Sequence, residues 1–69
     1  MTVKSLKEAR RDQILKSAEK VFSEKGFLNS TISDVAKETG VSDTTIYEYF
    51  SSKEELLWNF LFLPILIGN

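Results

Sequence analysis

Residues 40–56 read GVSDTTIYEYFSSKEEL, and this stretch decides the fold. Gly40 suits the left-handed conformation that ends a helix. Ser42 can then cap a following helix by accepting from one of its first backbone N–H groups. Phe50 is followed by two serines, which end that helix. The stretch therefore predicts a tight turn followed by one short helix over about residues 43–50.

The preceding residues, TISDVAKET at 31–39, predict another helix. Thr31 serves as its N-cap, and Asp34, three residues later, resembles the second half of a capping box. Ile32, Val35 and Ala36 recur at the spacing of one buried helix face. Two short helices joined by a three-residue turn that starts with glycine form a helix-turn-helix.

Further helices are predicted on both sides. Residues 10–26, RRDQILKSAEKVFSEKG, carry one apolar stripe and end at Gly26, which is expected to be a left-handed C-cap. Phe27 and Leu28 in the next turn are expected to be buried. Ser52 and Glu55 predict a second capping box at the start of a fourth helix. The fold class is therefore all-α: a helical bundle with a helix-turn-helix and the start of a fourth helix.

The helix near residues 43–49 presents a polar outer surface. At about 100° per residue, Ile46 and Phe50 share the inner face. The residues predicted to lie outside are Thr44 and Glu48 at the centre, with Thr45 and Tyr47 at the flanks. Hydroxyl groups bond phosphates and base edges, and a carboxylate can accept from cytosine N4. The alternatives are that Glu48 faces water and that the tyrosine rings pack at the edge of the core.

Charge is distributed unevenly along the 69 residues, although the net charge is only -1. Residues 1–25 hold seven Lys or Arg against four acids, a balance of +3, whereas residues 26–69 have a balance of -4. Attraction for a polyanion must therefore come mainly from the N-terminal part of the chain. Lys53 is a separate candidate, because a cation at a helix start opposes the helix dipole and a phosphate partner would explain it.

Several functions are excluded by composition. Cysteine and histidine are absent, so neither a disulfide nor a thiolate or imidazole metal site is predicted. We see no catalytic constellation and no glycine-rich phosphate loop, so we predict neither an enzyme nor a cofactor. The apolar run at residues 56–67 is too short to span a membrane, and the charged N-terminus is not a signal peptide, which favours a cytoplasmic location.

The run Thr31–Leu56, with VFSEKGFLNST at 21–31 before it, resembles the DNA-binding domain of tetracycline-repressor-like (TetR/AcrR) transcriptional regulators. The shared pattern is a threonine cap, Ile-x-x-Val-Ala, Gly-Val-Ser, and Ile-Tyr-x-Tyr-Phe-x-x-Lys-Glu-x-Leu. It covers about 45 residues in one register. The resemblance implies a homeodomain-like three-helix core, with the third helix lying in the major groove of double-stranded DNA.

The resemblance also implies a set of contacts. Phosphates or bases are expected to be contacted at the third helix and its cap, at the start of the second helix, at the start of the fourth helix, and at the basic residues before and within the first helix. These predicted DNA-binding residues are Ser42, Thr44, Thr45, Tyr47, Glu48, Tyr49, Thr31, Ser33, Lys53, Lys4, Lys7, Arg10 and Arg11.

Proteins of that family are longer and carry a C-terminal domain that binds a small effector and forms a homodimer. We therefore divide the chain into a basic arm (residues 1–8), the helix-turn-helix domain (9–59) and an apolar remnant (60–69) that leads to a missing C-terminal domain. The surplus apolar side chains near the end are expected to contact that domain or, as the alternative, a second copy of the chain. Self-association is the expected consequence.

The sequence thus predicts a sequence-specific DNA-binding transcriptional regulator, expected to be a repressor. The alternative from a different class is an acidic helix-turn-helix module that binds a protein partner. It draws on the net charge of -3 across residues 31–50, where Lys37 stands against four acids.

Overall fold

A computed structural model describes residues 5–61, which form four helices and, within that range, no strand. They are α1 (Leu6–Lys25), α2 (Ile32–Thr39), α3 (Asp43–Tyr49) and α4 (Lys53–Leu61). The predicted all-α class is confirmed. None of these helices is both long and apolar enough to cross a membrane. Lys4 and the apolar residues 62–67 lie outside the described residues, so the predictions made for them stay predictions.

Helix α1 begins earlier than the sequence pattern predicted. The Ser5 hydroxyl accepts from the N–H of Glu8 at 3.1 Å, and the Glu8 carboxylate accepts from the N–H of Ser5 at 3.0 Å. This is a complete capping box, which satisfies two of the backbone donors that a helix start leaves free. Residues 6–8 of the predicted basic arm are therefore helical, and Lys7 lies in the first turn of α1.

The turn between α1 and α2 corrects two expectations. Gly26 has φ 83° and ψ 150°, which is a positive φ but not the left-handed helical conformation that we expected. Leu28 was expected to be buried and is 88% exposed. Phe27 is half-buried, with its ring edge-on to Phe22 at a centroid distance of 5.3 Å. The turn is closed by the Ser30 hydroxyl, which donates to the Gly26 carbonyl at 2.6 Å.

The α2–turn–α3 segment has the predicted structure. Thr31 and Asp34 form the capping box of α2, and Gly40 ends that helix in the left-handed conformation, at φ 86° and ψ 30°. Ser42 caps α3 by accepting from the N–H of Thr45 at 3.2 Å. Each of these features involves residues at most four positions apart, so the local sequence was enough to predict them.

The start of α4 follows the prediction in part. The Ser52 hydroxyl accepts from the N–H of Glu55 at 3.2 Å, as in a capping box. The Glu55 carboxylate, however, accepts from the N–H of Ser51 at 2.9 Å rather than from that of Ser52. The hydrogen bonds of this cap therefore reach one residue further toward the N-terminus than in a standard capping box.

One apolar core holds the four helices together. Its buried members come from every helix and from the C-cap of α3: Ile14, Ala18, Val21, Val35, Ala36, Ile46, Phe50 and Leu56. Leu15, Phe22, Ile32, Val41, Tyr49 and Phe60 pack against it in part. The predicted apolar stripe of α1 and inner face of α2 both contribute. Burial on this scale is small for a domain, so each buried side chain matters to stability.

The two glycines with positive φ should respond differently to asparagine. Asparagine tolerates the left-handed helical conformation of Gly40. It does not suit the conformation of Gly26, which is almost exclusive to glycine and costs other residues about 1–3 kcal/mol. We therefore expect Gly26→Asn to lower the free energy of unfolding more than Gly40→Asn in urea denaturation. A Cβ at Gly26 would meet nothing closer than 3.9 Å, so equal losses would contradict this backbone explanation.

Candidate nucleic-acid interface

Helix α3 turns one side inward and the other to solvent, as its sequence predicted. Ile46 is fully buried and Phe50 is 2% exposed, whereas Tyr47 is 55% exposed. Thr44 and Glu48 are also exposed. We call Thr44, Tyr47 and Glu48 the outer face of α3. The threonine and tyrosine hydroxyls of this face form no hydrogen bond within residues 5–61, so they are available to a ligand.

The flanks of α3 are more constrained. Thr45 is half-buried, and its hydroxyl lies 3.1 Å from that of its cap, Ser42. Tyr49 is half-buried against the core, which agrees with the alternative that its ring packs at the core edge. Contacts within the domain therefore constrain the side chains of Thr45, Ser42 and Tyr49 more than those of the outer face.

The start of α2 lies beside the start of α3. The Ser33 hydroxyl donates to Oδ2 of Asp43, which links the first turns of the two helices. Thr31, also exposed, is held by the capping box of α2. The structure thus places Ser33 next to the first residue of α3, ten positions later in the sequence, while Thr31 lies at the cap of α2.

The N-terminal part of α1 and the end of α3 form a shallow depression of about 360 Å³. It is lined by Leu6, Lys7, Ala9, Arg10, Gln13 and Tyr49. Two cationic residues and a tyrosine line this concave surface, and cations and hydroxyls are the groups that bind phosphate. Gln13 was not predicted to take part, and its side-chain amide donates to the Thr39 carbonyl at 3.5 Å.

The other two predicted cations that the structure describes have partners inside the domain. Arg11 Nη2 donates to Asn59 Oδ1 of α4 at 2.8 Å, and its guanidinium carbon lies 5.3 Å from the centre of the Phe50 ring. Lys53 Nζ donates to the carbonyls of Phe27 at 2.6 Å and Ser30 at 2.8 Å. Backbone carbonyls thus already supply negative partial charge beside the Lys53 ammonium at the start of α4.

Two ion pairs tie α2 to α1: Lys20 with Glu38 at 3.0 Å and Lys25 with Asp34 at 2.9 Å. The hydrogen bond from Lys25, followed by those from Thr31, lowers the pKa of the Asp34 carboxyl below its ordinary value. The hydrogen bond to Glu38 raises the pKa of Lys20.

Within residues 5–61, Glu48 forms no ion pair, so no cation neutralises the acid on the outer face of α3. The same residues contain no group of side chains suited to hold a metal ion.

The fold and this surface define a class: a helix-turn-helix module whose second helix presents free hydroxyls to solvent. The family model described as "Bacterial regulatory proteins, tetR family" matches residues 14–58. The chain therefore belongs to the tetR family of bacterial regulatory proteins. This is a family of transcriptional regulators and not of enzymes, as the sequence predicted.

Individual relatives are also named as transcriptional regulators. The chain is 43% identical over 58 residues to the HTH-type transcriptional regulator HbdR of Aromatoleum sp. (strain CIB), covering 84% of this chain and 25% of that protein. It is 34% identical over 63 residues to the HTH-type transcriptional repressor KstR2 of Mycolicibacterium smegmatis, covering 88% and 31%.

A solved structure, that of the fatty acid degradation regulator FadR from Bacillus halodurans, matches with a TM-score of 0.69 and 41% identity. The match covers 81% of this chain and 28% of that one. The chain thus spans roughly a quarter to a third of the length of these relatives. These relatives are named as regulators and, in one case, as a repressor, so the alternative of an acidic protein-interaction module is not favoured.

The depressed pKa of Asp34 predicts how stability changes with pH. Because the pKa is lower in the folded than in the unfolded chain, the stabilisation is complete above the unfolded value of roughly 4 and is lost as pH falls through the folded value. Urea denaturation at a series of pH values should show a steeper acid loss for the parent chain than for Asp34→Asn. Glu19→Gln is the control and should follow the parent. Parallel curves for parent and Asp34→Asn would show that Asp34 carries no such stabilisation.

Proposed function

We propose that this chain is the DNA-binding part of a transcriptional repressor, which inserts α3 into the major groove of double-stranded DNA. The observation that carries the proposal is the outer face of α3. Its threonine and tyrosine hydroxyls are free within residues 5–61, while Ile46 on the opposite side of the helix is buried in the core. In helix-turn-helix proteins the second helix enters the major groove and the first crosses the backbone. Helix α2 precedes α3 in the chain, and the Ser33–Asp43 hydrogen bond joins their first turns, which supports this arrangement.

The base contacts are proposed for the outer face of α3. The hydroxyls of Thr44 and Tyr47 can donate to or accept from base edges, and the Thr44 methyl group can contact a thymine methyl. Glu48 can only accept, so beside DNA it would favour the cytosine amino group and be repelled by guanine and thymine acceptors. The face therefore suits a site with a defined sequence rather than any duplex.

The backbone contacts are proposed for the surroundings of α3. Thr31 and Ser33 lie at the N-terminus of α2, where free N–H groups and the helix dipole favour an anion. Ser42 and Thr45 would meet the backbone beside α3. Lys7, Arg10 and Tyr49 line the depression whose shape and charge suit a second phosphate.

The remaining basic residues have other proposed parts. Arg11 is bonded to Asn59, so it would contribute its positive charge to the local potential rather than a direct contact. Lys4 would extend the basic surface toward the backbone. Lys53 donates to two backbone carbonyls of the α1–α2 turn, and these contacts favour a different role.

The complete regulator is proposed to act as a homodimer. Helix-turn-helix dimers bind two half-sites about one helical turn apart, and linking two modules raises affinity far above that of one. The relatives are three to four times longer than this chain, which leaves room for a domain that forms the dimer and binds a small effector. Such a regulator would work in the bacterial cytoplasm, where the chromosome is.

Binding of the chain to DNA should depend steeply on salt. With Lys7 and Arg10 each neutralising one phosphate, each should contribute about 0.9 to the slope of log K against log salt. Fluorescence anisotropy with a labelled random-sequence duplex, between about 50 and 200 mM salt, should give a lower slope for Lys7→Ala and for Arg10→Ala. Lys16→Ala, in the middle of α1, is the control with the parent slope. No salt-dependent binding by the parent chain would refute the proposed function.

Thr44→Ala should change which sequences are preferred, because it removes a hydroxyl proposed to meet a base edge. Selection from a pool of random duplexes should return a relaxed preference at one position of the site, with a loss there of about 1–3 kcal/mol in discrimination. Lys7→Ala is the matched variant and should weaken all sequences alike. If both variants retain the parent preference, Thr44 does not read a base.

A further inference from the structure

Lys53 is held by three groups from the turn between α1 and α2. Its ammonium donates to the Phe27 carbonyl at 2.6 Å and to the Ser30 carbonyl at 2.8 Å. It also lies 4.4 Å from the centre of the Phe27 ring, within the range of a cation–π interaction. Lys53 is the first residue of α4, so these contacts join α4 to a turn more than twenty positions earlier in the chain.

These contacts use most of the hydrogen-bonding capacity of the Lys53 ammonium group. An ammonium group has three N–H donors, and two of them are used by the carbonyls. Ser30 is only 2% exposed, so its carbonyl belongs to a buried residue and would lose this donor if the ammonium moved to a phosphate. One N–H remains, so a phosphate contact that moved the ammonium would have to break bonds that the fold already uses.

The turn that Lys53 holds ends at Thr31, the N-cap of α2. The position of this α1–α2 turn determines where the first turn of α2 lies relative to α3 and α4. We infer that Lys53 is a positioning residue for DNA binding: it fixes the start of α2, and with it Thr31 and Ser33, through the carbonyls of the preceding turn. This inference rests on the proposed function, and it assigns to Lys53 an indirect role in place of the predicted phosphate contact.

The two roles differ in what can replace the lysine. Arginine keeps the charge and binds phosphate well, often with two hydrogen bonds. Its planar guanidinium is larger and does not reproduce the compact ammonium between two carbonyls and a ring. A phosphate contact would therefore survive Lys53→Arg, whereas the positioning role would not. Lys53→Met, which keeps the apolar stem, removes both.

The experiment compares Lys53→Met, Lys53→Arg and Phe27→Leu with the parent chain on one labelled duplex. We expect Lys53→Met and Lys53→Arg each to weaken binding about tenfold, with the salt slope of the Met variant unchanged. Phe27→Leu, which alters the partner and removes no charge, should weaken binding in the same direction. The effects of Phe27→Leu and Lys53→Met should not add in the double variant, because both act through one contact. Lys16→Met removes the same charge from α1 and should bind as the parent does.

Thermal unfolding without DNA gives a second measurement, because Lys53→Met and Lys53→Arg should both lower the Tm while Lys16→Met does not. Parent-like binding by Lys53→Arg, together with a slope lower by about 0.9 in Lys53→Met, would overturn the inference and leave the proposed function standing. Loss of all salt-dependent binding in the parent itself would instead overturn the proposed function, and the inference with it. If Lys53→Met does not fold, the Arg and Phe27→Leu variants still decide between the two roles.

Discussion

Burial of Ile46 and Phe50 is the constraint on which the rest of the interface depends. Helix α3 has seven residues, too few to be stable alone in water, so its helical form relies on tertiary packing. Both apolar side chains lie in the core with residues of α1, α2 and α4. A helix that packs against the core on that side must present Thr44, Tyr47 and Glu48 on the other side. The same packing that stabilises a small domain thus determines which side chains can meet a ligand.

The remaining contacts orient α3 rather than create it. Ser42 caps its start, Ser33 links that start to α2, and Arg11 lies over Phe50 at its end while bonding α4. Within residues 5–61 no buried side-chain nitrogen or oxygen lacks a partner. A well-packed support favours recognition, because affinity falls when side chains must first be ordered.

The parts predicted correctly from the sequence are those governed by neighbours in the chain. The caps at Thr31 and Ser42 and the left-handed Gly40 follow from residues within three or four positions, and the apolar spacing gave the inner face of α3. The conformation of Gly26, the exposure of Leu28 and the partners of Lys53 depend on how the α1–α2 turn meets α4, and no local pattern contains that information. The Ser5–Glu8 capping box is also a local pattern, since its two residues are three positions apart.

Binding of DNA by the outer face of α3 and the start of α2 can be tested by NMR, through amide chemical-shift mapping with a duplex added to the isotope-labelled chain. The largest shift changes are expected at residues 31–33 and 43–49. Changes confined to the middle of α1 or to α4, with the amides of α3 unaffected, would show that another surface binds the duplex.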